Sequence, residues 1–273
     1  LMQEEEYPEG LLKHKLITEI EKLVLNFMKR PGFDRKKVLG IGIAVPGLVN
    51  SRDGLVYYSR KLQLENYNLK EILESKLGLP AYISNDANAG VLGFRWFPDN
   101  SDEIHKNVIY LIYNQESVTI GSGLLINNEL YEGVSGGAGE ILNYLPSIKE
   151  LIENANSNAS EKLHPALSLG DIISRAKQNN PVAVQVLETL CQKLADQIIS
   201  IIAFMNPNAI IMGGDLSEYQ NIIEEKIIPY VKTKIQEQLR YGFEMPLIKT
   251  SHFGNFSVSM GAAAMVMNEY FKL

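Results

Sequence analysis

Apolar positions along this chain switch between helical and strand spacing, and the switches outline its elements. Over 11–28 they recur at helical intervals, with Leu12, Leu16, Ile20, Leu23 and Leu25 on or near one face, and Pro31-Gly32 ends the run. Residues 38–45 form a glycine-bearing apolar strand closed by Pro46-Gly47. A helix is expected over 68–77, with an Asn near its start and Gly78 just past its end. Residues 80–84 read as a strand that hands over to a helix from about Ala87 to Trp96. A polar stretch, 98–106, reads as a linker. Two β-branched-rich strands follow at 108–114 and 118–126, with Asn127-Asn128 as a turn signal. Residues 133–139 are glycine-dense, and 153–165, rich in Asn and Ser, read as a surface loop.

The helix over 182–205 carries a long stripe of Val186, Leu187, Leu190, Leu194, Ile198, Ile201 and Ile202. That stripe fits either a dimer interface or the core of its own lobe. A buried strand, 209–212, ends in Gly213-Gly214-Asp215. The helix over 219–239 holds Pro229, which should kink it. A strand at 247–251 and a helix over 257–271 complete the chain. Strands and helices thus alternate in two blocks around the polar linker, the pattern of an α/β protein with two lobes and a cleft between them. The expected first lobe spans 1–105, with a returning C-terminal helix at 259–273; the second spans 106–258.

Composition narrows the function classes. A chain of 273 residues can hold two lobes with real cores. A net charge of −6 argues against a nucleic-acid surface spread over it. No apolar run reaches membrane-span length and no basic-then-apolar leader opens the sequence, so a cytoplasmic protein is expected. Cys191 is the only cysteine, which excludes an internal disulfide and any site needing two thiolates.

The most informative stretch is Ser84-Asn85-Asp86-Ala87-Asn88-Ala89-Gly90. An Asn-Asp pair at a strand's C-terminal end points two polar side chains to where α/β proteins bind ligands. The carboxylate accepts two hydrogen bonds and the amide both donates and accepts, which suits a polyhydroxylated ligand. The same pair also suits a helix N-cap, for backbone reasons alone.

Three blocks in order widen the picture. They are Gly40-Ile41-Gly42-Ile43-Ala44-Val45-Pro46-Gly47; Leu77-Gly78-Leu79-Pro80 running into Asn85-Asp86-Ala87-Asn88-Ala89; and Leu130-Tyr131-Glu132-Gly133 followed by Gly137-Ala138-Gly139-Glu140-Ile141. With Ile210-Ile211-Met212-Gly213-Gly214 and Gly261-Ala262-Ala263-Ala264, they resemble the ROK family of bacterial sugar kinases and sugar-responsive repressors. The resemblance implies the actin-like ATPase (ribonuclease H-like) fold. It also implies that Asp86 is the catalytic base if the protein is a kinase. Asn85 and Glu140 would hold sugar hydroxyls, and the peptide groups of Pro46 and Gly47 would form a turn near the sugar.

Departures from the family pattern decide between its two branches. The Asp-x-Gly-Gly-Thr phosphate turn of the kinases is not in this sequence, which either lost it or starts after it. In the run Ser117-Val118-Thr119-Ile120-Gly121-Ser122-Gly123, Ser117 and Thr119 stand where glycines would let backbone N–H groups approach phosphate. A β-hairpin with a glycine twist is the favoured reading of the run. The zinc-binding His and cysteine run of the family are missing, and one Cys with His14, His105, His164 and His252 scattered makes no four-coordinate site, so no structural zinc is expected. Lys61-Leu62 and Leu64 replace the usual Asn-Leu and Trp of the sugar-side segment; Lys61 is either a solvated lysine or a contact to an anionic ligand.

The resulting expectation is a sugar-binding effector and dimerisation domain of a ROK-type transcriptional regulator. Its ligand would be a monosaccharide or sugar phosphate, it would use no cofactor, and its DNA contacts would come from a domain not in this chain. The alternatives are an ATP- and Mg²⁺-dependent sugar kinase and a degenerate scaffold that binds nothing.

Overall fold

The computed structural model describes residues 13–98, 106–116, 120–141, 145–157, 159–238 and 244–271. The chain forms two compact units, Leu1–Asp102 with Glu129–Gly139 and Phe256–Leu273, and Glu103–Asn128 with Glu140–Asn255. Glu129–Gly139 therefore departs from the lobe expected over 106–258. It groups with the first unit because the Ser51 hydroxyl donates to Glu132 at 2.5 Å, and because Gly136 lies so close to the Val49 carbonyl that a Cβ there would collide. The expected linker lies largely outside the described residues.

In the first unit, α1 (Lys13–Met28) is thinly seated. Ile17 is its buried residue, while Leu16, Ile20, Val24 and Met28 pack partly against the core. Leu23 and Leu25, expected on the buried face, are exposed; Ile17 and Val24 shift the face by about one residue. The strand β1 (Ile41–Val45) is shorter than the expected 38–45, since Arg35–Lys37 forms a 3-10 turn capped by Asp34. An antiparallel meander follows: β2 (Leu48–Asn50), β3 (Leu55–Ser59) and β4 (Leu64–Asn68). The sequence reading missed it, although Asp53-Gly54 is a hairpin signal. The Asn68 side chain caps α2 (Leu69–Leu77), and Gly78 ends that helix in the left-handed conformation at φ 62°.

The strand β5 (Ala81–Asn85) pairs with β1 in parallel register, Ile41 opposite Ala81 and Val45 opposite Asn85. One face of this pair, with Val45, Ile83 and Ala81, joins a core that includes Val49, Val56, Leu64, Leu69 and Leu73. Its other face is covered by α3 (Asp86–Trp96), buried from Ala87 through Phe94, and by the last helix of the chain, Ser257–Phe271. Those two helices touch backbone to backbone, because Gly93 and Gly261 carry no side chain at the crossing.

The second unit is built on β6 (Val108–Tyr113), β7 (Gly121–Ile126), β9 (Ala209–Gly214) and β10 (Leu247–Thr250). Between β7 and β9 the chain passes through β8 (Glu129–Leu130), which belongs to the first unit. The strand β9 lies between β6 and β10, parallel to both, while β7 pairs antiparallel with β6. Asn127 and Asn128, at φ 55° and 67°, make the turn after β7 in the left-handed conformation that Asn tolerates. Part of the expected loop at 153–165 is instead helical. A Ser147–Glu150 capping box starts α4 (Ile148–Asn156), whose Ile148, Leu151, Ile152 and Ala155 are buried. A second box, Ser168–Asp171, starts α5 (Leu169–Lys177), which the sequence reading missed.

Asn180 and Pro181 open α6 (Pro181–Met205). Its stripe of Val186, Leu187, Leu190, Leu194, Ile198 and Ile202 is buried within its own unit, so those side chains are core. Further on, α7 (Gln220–Ile222) widens into a π-turn over Ile223–Ile227 before α8 (Ile228–Gln238). Pro229 explains the widening: it has no N–H for the Glu225 carbonyl and its ring crowds that group, so Ile228 N–H reaches back to Ile223 instead. The Ser257–Phe271 helix, α9, returns to the first unit.

Candidate functional site

The corner between β5 and α3 is organised by Asn85. Its Oδ1 accepts from the backbone N–H of Ala87 at 2.8 Å and of Asn88 at 3.2 Å, which caps α3. Its Nδ2 donates to the Gly47 carbonyl at 2.9 Å. One buried side chain therefore fixes a helix start and ties it to the turn between β1 and β2. Both lone-pair directions of Oδ1 are used, which leaves Asn85 one amide hydrogen for a ligand. The cap reading thus holds for Asn85.

Asp86 is the first residue of α3 and is partly buried. Its Oδ1 accepts from Ala87 N–H at 3.0 Å. Backbone N–H groups at a helix start favour a negative charge, so the helix end supports the carboxylate there. A carboxylate so held can accept hydrogen bonds from hydroxyl groups or take a proton from one.

Pro46 and Gly47 form the turn that Asn85 grips. Pro46 has no N–H and ends β1. Gly47 has φ 124°, and a Cβ would collide with the Tyr58 carbonyl while lying 3.0 Å from the Ser59 Cα. The neighbouring turn between β3 and β4 is pinned by Leu62 N–H on the Ser59 hydroxyl at 3.3 Å. Lys61 is exposed in that turn, and Leu64 is core at 1% exposure. The structure thus brings Pro46, Gly47, Asn85 and Asp86 together within the first unit.

Glu140 begins the last segment of the second unit. It has exposed surface, yet enough of its carboxyl is enclosed for desolvation to raise its pKa above the ordinary carboxylate value. The phosphate-loop candidates Ser117, Val118 and Thr119 lie outside the described residues, as do Leu142, Asn143 and His105.

At the C-terminal ends of β6 and β9 the second unit is bound to itself. Gln115 N–H donates to Asp215 at 2.6 Å, and the Gln115 side chain accepts from Leu169 N–H at 2.6 Å, at the start of α5. Sequence reasoning did not single out Gln115, a polar residue in a strand-end turn with no local motif. Tyr113, buried beside Asp215 and Cys191, has its phenol pKa raised by desolvation first and by the carboxylate second. Among the described residues no group of three or more His, Cys, Asp and Glu side chains is placed to hold a metal ion. Nor is any described helix long and apolar enough to cross a membrane.

Comparison with known proteins shows the family and the fold. The family model described as ROK family matches residues 1–142 and 148–269. The xylose repressor of Caldicellulosiruptor bescii is 27% identical over 285 residues, covering 94% of this chain and 69% of the relative. A solved ROK family transcriptional regulator, a homolog of the E. coli MLC protein, superposes with a TM-score of 0.75 at 22% identity, over 95% of this chain and 70% of that one. The ROK family glucokinase of Streptomyces griseus, solved with glucose and AMPPNP, superposes with a TM-score of 0.73 at 20% identity, over 94% and 88%.

Proposed function

Because this chain belongs to the ROK family and has the α/β fold of its sugar kinases, the actin-like ATPase type, we propose that it is the sugar-binding effector domain of a transcriptional regulator of carbohydrate metabolism. The observation that carries the sugar site is the Asn85 clamp, which fixes a helix start against the Gly47 turn and sets Asp86 at that helix end. Rigid placement of a carboxylate beside the half-buried turn of Pro46 and Gly47 suits selection of one pattern of hydroxyls. Glu140, in the second unit, is by family resemblance a separate candidate for holding sugar hydroxyls. A monosaccharide or sugar phosphate binding one conformation better than another would shift the population of regulator states. Operator contacts would come from a domain outside this chain, and two such chains would pair as a dimer. Similarity to a named xylose repressor supports the regulator branch and makes pentoses the first ligands to try.

A kinase is the second reading, favoured by the carboxylate at Asp86 and the likeness to a glucokinase. Phosphoryl transfer depends on gripping phosphates and Mg²⁺, and Ser117 and Thr119 stand where a glycine-rich phosphate loop would need bare backbone. The test is thermal unfolding with a panel of pentoses, hexoses, amino sugars and their phosphates. A regulator predicts a rise in Tm with one sugar, lost in Asp86→Ala and unaltered by ATP with Mg²⁺. Sugar-dependent ADP release abolished by Asp86→Asn would replace the regulator reading with the kinase.

A further inference from the structure

The layer between the β1–β5 pair and the helices above it holds two buried polar side chains, Ser84 of β5 and Asn88 of α3. Tyr82 and Ser84 share a face of β5, next to Gly42 and Ala44 of β1 in register. That face is covered: a Cβ on Gly42 would collide with the Ala262 carbonyl, and Leu92, Ala262, Ala264 and Met265 pack with Ala44 and Tyr82. From Tyr82 to Ser84 the strand advances roughly 7 Å. From Leu92 back to Asn88 the helix retreats about 6 Å. Because α3 follows β5 and packs back along the sheet, the two steps match, and Ser84 and Asn88 share the level above Tyr82 and Leu92.

Both residues are enclosed, at 1% and 2% exposure. Neither Ser84 Oγ nor Asn88 Oδ1 has a protein hydrogen-bond partner. Buried polar atoms are almost always satisfied by protein or by ordered water, and a site for such a water needs at least two polar partners. A hydroxyl that donates and accepts, at the same level as an amide oxygen that accepts, would supply them.

We propose that Ser84 and Asn88 hold a buried water between β5 and α3, and that through it they act as positioning residues for Asp86, which lies two residues from each. Asn85 fixes the corner from the side of the Gly47 turn; the water fixes it from the helix layer. The positioning role rests on the reading of Asp86 as ligand-facing, whereas the water itself does not.

The test combines a crystal structure of the full chain at high resolution with substitutions. Density for one water within about 2.6–3.2 Å of both atoms is expected. In urea unfolding, Ser84→Ala and Asn88→Ala are expected to be non-additive, the second substitution costing less once the water is gone. Each single variant should weaken the stabilising sugar by about 5- to 10-fold without abolishing its effect, while Ile83→Val, on the opposite face of β5, lowers stability and leaves sugar affinity unchanged. A dry layer or strictly additive effects would overturn the water. An affinity loss no greater than that of Ile83→Val would overturn the positioning role. If no sugar stabilises the native chain, the sugar-site reading falls and takes the positioning role with it, while density and coupling still decide the water.

Discussion

Asn85 and Asp86 stand side by side, yet their bonds assign them separable tasks. Asn85 spends its oxygen on two N–H groups of α3 and an amide hydrogen on Gly47. Asn85→Ala should therefore cost about 1–2 kcal/mol through the lost cap, read as a lower urea midpoint, and should weaken sugar binding indirectly. Asp86→Asn keeps the shape of the helix start and should change stability by only about 0.5 kcal/mol while removing the sugar-induced rise in Tm. If both variants lose stability equally, the division of labour is wrong. Glu140 adds a pH signature. Its folded-state pKa lies above the ordinary value, so its contribution to stability is complete below the ordinary carboxylate range and is lost as pH rises through the raised value. Glu140→Gln carries no charge to desolvate. The variant should melt higher than the native chain at pH 7, with the gap closing below about pH 4. A gap independent of pH would refute desolvation as the cause.

At the scale of elements, the places where sequence reading succeeded and failed have physical causes. The β5–α3 junction and the Asn68 and Gly78 ends of α2 were legible because capping is local chemistry. The β2–β3–β4 meander was not, since its short strands alternate weakly and Asn66 interrupts β4 at φ 45°. In α4, two Asn residues, Asn154 and Asn156, masked a helix that buries four side chains. Nor did the stripe of α6 reveal its partner: an apolar face looks the same whether another helix or another molecule covers it. Cys191 tests that burial. Desolvation pushes its thiol up to about 12, so Ellman's reagent at pH 8 should label it only as fast as the unit opens. Immediate labelling would mean α6 is not packed as described. The α3–α9 crossing makes a second prediction. A Cβ on Gly261 would collide with the Ala89 carbonyl, whereas Gly254, at φ 53°, has open space around it. Gly261→Ala should cost about 3 kcal/mol or more, against about 1 kcal/mol for Gly254→Ala, measured as unfolding free energies.

Over the whole molecule, the order of the motifs carried the fold further than any one of them, since each is a short glycine-rich or polar run that recurs in unrelated proteins. What order could not show is whether the chain binds a sugar, a nucleotide or both. The described residues place a carboxylate at the start of α3 in the first unit, and in the second they show Asp215 and Gln115 bound to each other's surroundings at the strand ends. Asp215 spends an oxygen on Gln115 N–H, and Gln115 spends its amide oxygen on the start of α5, so these groups are already engaged within the unit. Sugar and nucleotide should therefore act differently on the same chain. A sugar at about 100 times its Kd should add about 2.7 kcal/mol, a Tm rise on the order of 5 °C or more for a chain of this size. ATP with Mg²⁺ at millimolar concentration should add nothing, alone or with the sugar. A nucleotide-dependent rise in Tm would show that phosphates are gripped after all, and would move the chain from the sensing branch of its family to the phosphorylating one.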